Sequence, residues 1–189
     1  FVEIVAATKT HSFETIVRTY NLGIKNIGEN RVQEAEKKFI SFSTMPKIKR
    51  RFIGHLQTNK INKCLDIFDT IDTIDSVRLA RKISNRIIST NTNKNLECLV
   101  EVTTSGDENK KGFRPDKINE ILECVSLENL NIVGLMTLGP VSQAEKETRE
   151  AFSLLNNIKN QLLKLQETKK KILIVFNKID LISKTILLP

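Results

Sequence analysis

One lysine stands directly at the end of the first apolar run, where Ile4-Val5-Ala6-Ala7 gives way to Thr8-Lys9-Thr10. Desolvation beside such a run would favour the neutral amine, the form that attacks a carbonyl carbon to make a Schiff base. Position alone also fits an ordinary loop lysine. Other polar and small residues gather in equivalent places, each just after an apolar run: Gly28-Glu29-Asn30, Gly54-His55-Leu56-Gln57, Asp72-Thr73-Ile74-Asp75, Thr103-Thr104-Ser105-Gly106 and Met136-Thr137-Leu138-Gly139. If the runs are parallel strands, these residues share one rim of the sheet, which is where such folds build their sites.

The elements that would position that rim alternate along the chain. Strands are expected over 2–8, 25–27, 51–53, 67–71, 96–102, 132–135 and 171–176. Helices are expected over 12–21, 31–42, 59–64, 76–89, 115–124 and 144–165, with Ser76 as an N-cap and Pro115 at a helix start. Alternation without a reversal is the pattern of a parallel sheet with crossover helices. The expected fold is α/β, a (β/α)8 TIM-type barrel lacking its last βα unit; an open doubly wound sheet gives the same one-dimensional pattern. At 189 residues, one domain is expected.

Composition narrows the classes of function. Hydrophobic residues make up 40% and charged residues 28%, as in globular proteins that fold around a core. No apolar run approaches the roughly 18 residues of a membrane span. Three cysteines without a CxxC spacing and two histidines, His11 and His55, argue for a reducing compartment and against a metal site. The formal charge of +8 would permit phosphate contacts with nucleic acid. The basic residues are nevertheless spread along the chain, and the two clusters, 47–51 and 169–171, read as solvated loops or helix ends. With one tyrosine and no tryptophan, nucleic-acid binding is not expected.

The runs that carry chemistry also carry a resemblance. Ala7-Thr8-Lys9-Thr10, Ile27-Gly28-Glu29-Asn30-Arg31-Val32-Gln33-Glu34, Phe52-Ile53-Gly54-His55-Leu56-Gln57-Thr58-Asn59-Lys60, Ile74-Asp75-Ser76, the run from Thr104 to Phe113 and Val133-Gly134-Leu135-Met136-Thr137-Leu138-Gly139 resemble the YggS/PROSC-type pyridoxal phosphate homeostasis proteins. They stand in that family's order and spacing, over roughly residues 2 to 165. The family is similar to the barrel domain of bacterial alanine racemase. The resemblance implies that Lys9 holds pyridoxal 5′-phosphate (PLP) as a Schiff base and that Asn30 faces the cofactor from the second strand. It gives Met136 and His55 places near the site without a definite role. Tight packing of strand ends explains Gly28, Gly54 and Gly134 equally well, and a helix N-terminal capping arrangement explains Glu29 and Gln33.

The resemblance fails after the seventh strand. The family carries an SMGMS-x-D segment there and later a GST, a VRIG and a closing FG, which supply the phosphate cradle and an arginine for the pyridine nitrogen. Here residues 171–180 read KILIVFNKID, and 171–189 form an atypical tail. The expectation is one alanine-racemase-like barrel domain truncated at both ends, at Phe1 and by a frameshift or shortened reading frame near residue 170. The Asn177-Lys178-Ile179-Asp180 match to the guanine-reading NKxD signature is accidental, since no GxxxxGK[ST] accompanies it.

The functional expectation is therefore a non-catalytic PLP-binding protein of intracellular PLP homeostasis. It would be cytoplasmic and monomeric, with PLP-dependent apoenzymes as recipients and no nucleic-acid or membrane partner. The alternative is a PLP-dependent enzyme such as an amino-acid racemase, which needs a second acid/base group, typically tyrosine. Tyr20 is the only tyrosine and falls on a helix away from the rim.

Overall fold

The computed structural model describes residues 3–39, 45, 47–90, 96–105, 111–142, 144–165 and 173–177, the last five by their backbone. Among the described residues seven strands alternate with six α-helices: β1 (Val5–Ala7), α1 (Phe13–Asn21), β2 (Asn26–Glu29), α2 (Val32–Phe39), β3 (Lys49–Phe52), α3 (Ile61–Ile67), β4 (Thr70–Ile74), α4 (Val77–Thr90), β5 (Glu97–Glu101), α5 (Ile118–Val125), β6 (Asn131–Leu138), α6 (Glu145–Leu165) and β7 (Leu173–Asn177). All neighbouring pairs are parallel and the sheet runs in chain order from β1 to β7. Every strand therefore ends on the same rim, and each helix returns the chain to the opposite end.

The core lies between the sheet and its helices. Ile16, Ile27, Ala35, Phe52, Phe68, Ile71, Ile83, Val100, Ile121 and Leu155 belong to one buried cluster. Phe68 fills the corner between α2 and β3, edge-on to both Phe39 and Phe52, with ring centroids 5.5 and 5.2 Å away. Such edge contacts suit the ring quadrupole and add to the area buried. Ser76 caps α4 as expected, its Oγ accepting the N–H of Leu79 at 3.3 Å. Three cysteines are buried in this same core: Cys64 on α3, Cys98 on β5 and Cys124 on α5. Burial pushes the Cys98 thiol far up and the Cys124 thiol up to about 12.

The structure corrects several boundaries. The fourth strand is Thr70–Ile74, not 67–71. Ile67 closes α3 and Phe68 is its C-cap, so the apolar Ile-Phe pair that looks like a strand is a helix end packed into the core. The third strand is Lys49–Phe52, not 51–53, and α5 starts at Ile118 rather than at Pro115. Of the basic run 47–51, Lys47 is exposed in a turn, while Lys49, Arg50 and Arg51 belong to β3. Lys49 pairs with Glu97, Arg50 with Asp69 at 2.7 Å and Arg51 with Asp72 at 2.8 Å. Because Phe52 faces the helices, Arg51 faces the other side of the sheet. There it is 6% exposed and forks onto both oxygens of Asp72, which also accepts the Thr70 hydroxyl at 2.8 Å. The basic run 169–171, the Gly106 expected on the rim and Lys178 to Asp180 lie outside the described residues.

Candidate functional site at the strand ends

Lys9 follows β1 and is half-buried, although Ile4 of the apolar run before it is 60% exposed. The β1–β2 register pairs Ala7 with Gly28; Lys9 follows in a turn closed by the His11 N–H on the Thr8 carbonyl at 2.9 Å, and Asn30 directly follows β2. The two residues singled out from the sequence thus follow adjacent parallel strands on the same rim. Beneath them lies a buried polar knot. Glu29, fully enclosed, accepts the Thr8 hydroxyl at 2.7 Å and pairs with Lys38 of α2 at 2.9 Å. Glu29 is therefore not a helix cap; it belongs to β2 and ties that strand to the Lys9 turn.

Asn30 connects this corner to the third strand. A β-carbon at Gly54 would stand 2.1 Å from the Asn30 carbonyl oxygen and 2.7 Å from its Cα, so only glycine permits that approach. The two most distinctive runs of the sequence, 28–34 and 52–60, close around one cleft of about 360 Å³, whose polar walls are Asn30, Arg31, Gln33, His55, Gln57 and Lys60. Lys9 stands outside its lining.

Past the third strand the rim carries a relay of titratable groups. Asp75 accepts from Nδ1–H of His55 at 2.9 Å, which leaves Nε2 to accept from Lys111 Nζ at 2.8 Å. Next to them Glu101, the last residue of β5, is 6% exposed. Burial, aided by the nearby charge of Asp75 and opposed by Lys111, pushes its carboxyl up to about 7. After β5, Thr104 shares a hydroxyl contact with Thr137 of β6 at 2.8 Å, while the buried Thr103 and Ser105 hydroxyl oxygens meet no partner among the described residues. Met136 and Thr137 lie inside β6, 1% and 0% exposed, rather than after it.

Glu101 and Lys38 escaped the sequence reading. Glu97, Leu99 and Glu101 alternate along β5, and that period-two acidic pattern could have marked Glu101 as facing away from the helices. Lys38 carries no local signal, because its partners come from two other elements. Tyr20 lies at the far end of α1, its ring under Lys25 Nζ at 3.4 Å. As α1 runs back from the rim to the start of β2, Tyr20 sits at the end of the sheet opposite Lys9.

These features define an α/β protein of barrel type with a lysine at the end of its first strand. No family model matches the chain. The pyridoxal phosphate homeostasis protein of Aquifex aeolicus is 34% identical over 161 residues, spanning 85% of this chain and 69% of that one. The human protein of that name is 33% identical over 169 residues, 85% of this chain and 62% of its own length. Among solved structures, PipY of Synechococcus elongatus superposes with a TM-score of 0.79 at 29% identity, over 87% of this chain and 76% of that one. An alanine racemase of Clostridium difficile, at 17% identity, shares the fold with a TM-score of 0.77 over 93% of this chain and 48% of the racemase. The chain belongs to the pyridoxal phosphate homeostasis protein family. Among the described residues no helix is long and apolar enough to cross a membrane.

Proposed function

We propose that this chain binds PLP through a Schiff base on Lys9, with Asn30 beside it, and serves PLP homeostasis as a carrier rather than as a catalyst. The observation that supports this reading is that Lys9 and Asn30 follow the neighbouring parallel strands β1 and β2 on one rim, in a family named for pyridoxal phosphate homeostasis. A PipY structure with PLP bound, 25% identical with a TM-score of 0.73 over 86% of this chain and 77% of that one, supports it further.

The rim offers part of a site for such a ligand, although the family's cradle segments after the seventh strand have no counterpart in residues 171–189. The Thr103 and Ser105 hydroxyls are buried without partners among the described residues, a state that costs free energy until an acceptor arrives. Phosphate and phenolic oxygens are such acceptors. When bound, the cofactor supplies an aldehyde carbon that condenses with an amine. Lys9 would supply the amine, Asn30 an amide to orient the ring, and the Thr103–Ser105 turn hydroxyl donors. In this reading the protein acts as a monomer in the cytoplasm and hands PLP to PLP-dependent apoenzymes.

The test is covalent trapping. The protein is mixed with PLP, reduced with borohydride, digested and mapped. A reduced adduct on Lys9, lost in Lys9→Ala, is expected. A label confined to another lysine overturns the assignment.

A further inference from the structure

The turn that carries Lys9 is held from outside by an ammonium. Lys38 Nζ, from the last turn of α2, lies 2.8 Å from the carbonyl oxygen of Thr8, 3.4 Å from that of Lys9, and 2.9 and 3.1 Å from the two carboxylate oxygens of Glu29. Glu29 in turn accepts the Thr8 hydroxyl at 2.7 Å. The backbone N–H of Thr8 donates to Gly28 at 2.9 Å, and its carbonyl also accepts from His11 N–H at 2.9 Å. Every polar group of Thr8, the residue before Lys9, is thereby engaged.

Stability alone does not account for this arrangement. The Glu29 side chain is 0% exposed and that of Lys38 17%, and a buried ion pair is often no better for stability than apolar side chains of similar volume. What an apolar pair could not do is grip two successive carbonyl oxygens from outside the turn. The ammonium has three donors and no acceptor, and here they are divided between the carboxylate and the backbone on either side of the peptide bond joining Thr8 to Lys9.

We infer that Glu29 and Lys38 are positioning residues: together they lock the backbone from which the Lys9 side chain departs, so that its amine meets the cofactor's aldehyde in one orientation. This rests on the reading of Lys9 as the cofactor-holding amine. Glu29 and Lys38 act through Thr8 and the Lys9 carbonyl and are given no contact with the ligand.

The test compares the parent chain with Lys38→Met, Lys38→Arg and the double variant E29Q/K38M, which keeps an acceptor for the Thr8 hydroxyl while leaving no buried charge unpaired. Two quantities are read. One is amide hydrogen exchange at Lys9 to His11 without cofactor, referenced to amides within α4. The other is PLP affinity, from the absorbance change on titration and the yield of borohydride-reduced adduct on Lys9. With the charge-assisted bonds to the turn gone, exchange in Lys38→Met should quicken and PLP affinity weaken, each by about tenfold or more, while circular dichroism stays that of the parent. Lys38→Arg should restore both. The double variant should match the parent in thermal midpoint yet keep the fast exchange and weak binding, and it decides the matter if Lys38→Met does not fold. Parent-like exchange and parent-like affinity in the folded double variant would overturn the inference. A parent chain that leaves no reduced adduct on Lys9 would instead overturn the cofactor reading beneath it, an outcome separable because the exchange contrast needs no PLP.

Discussion

Gly54 and Asn30 meet backbone to backbone, so closely that a β-carbon on the glycine would lie 2.1 Å from the carbonyl oxygen of the asparagine. Neither partner is a flexible side-chain tip, so the strand ends must separate if Gly54 gains a methyl group. Gly54→Ala is expected to cost roughly 2–4 kcal/mol and to lower the thermal midpoint by about 5 °C or more. Gly139→Ala, where an added β-carbon meets nothing within 4 Å, serves as the control and should stay within about 0.5 kcal/mol of the parent.

Glu101 makes stability depend on pH. Its folded-state pKa of about 7 lies above the ordinary 4.5, so the folded chain holds the proton more tightly than the unfolded one. The sign follows from linkage: the contribution is fully present below about pH 4.5 and is lost as pH rises toward 7. Glu101→Gln should remove on the order of 3 kcal/mol of that slope, so that the variant gains on the parent between pH 5 and pH 8. Urea titrations at both pH values measure the difference; parallel curves would show that Glu101 titrates as an ordinary carboxyl.

Arg51 and Asp72 form a closed pair behind the third and fourth strands. Removing one member strands the other in a site it cannot leave. Arg51→Met alone should cost about 3–5 kcal/mol, whereas Arg51→Met combined with Asp72→Leu should recover most of that loss. Chemical denaturation of the two variants provides the comparison, and an equal cost in both would mean that the pair contributes by shape rather than by charge.

No racemase activity is expected. Tyr20 is occupied with Lys25 at the end of the sheet opposite Lys9, and a two-base mechanism needs its second proton carrier across from the lysine. Incubation with L-alanine and PLP, followed by separation of the enantiomers, should yield no steady production of D-alanine. Multiple turnovers would make Glu101 or His55 the acid/base group to mutate next.

Legibility in the sequence followed the range of the interactions concerned. Helices with strong amphipathic spacing, such as α4, and the Ser76 cap are local, and both were readable. The parallel alternation was readable too, and with it the common rim of Lys9 and Asn30. The fourth strand was misplaced because its own residues Thr70, Asp72 and Thr73 are polar, while the preceding Ile67-Phe68 pair is apolar. Asp72 can lie in a strand only because Arg51 waits on the neighbouring one, a pairing that no period along the chain reveals. Lys38 was missed for the same reason. Thr8 and Lys9 are distant in sequence, Glu29 lies on another element, and the three meet Lys38 only once α2 packs against the first two strands.

The three buried cysteines give this chain its own opening gauge. Cys64, Cys98 and Cys124 report from a helix, the middle of the sheet and a helix further along, and each is 0% exposed. A thiol-reactive reagent can reach them only in molecules that have come apart locally, so pulse-labelling rates would resolve the opening free energy element by element. A late Cys98 and an early Cys124 would trace fraying from the α5 side inward, without an introduced probe.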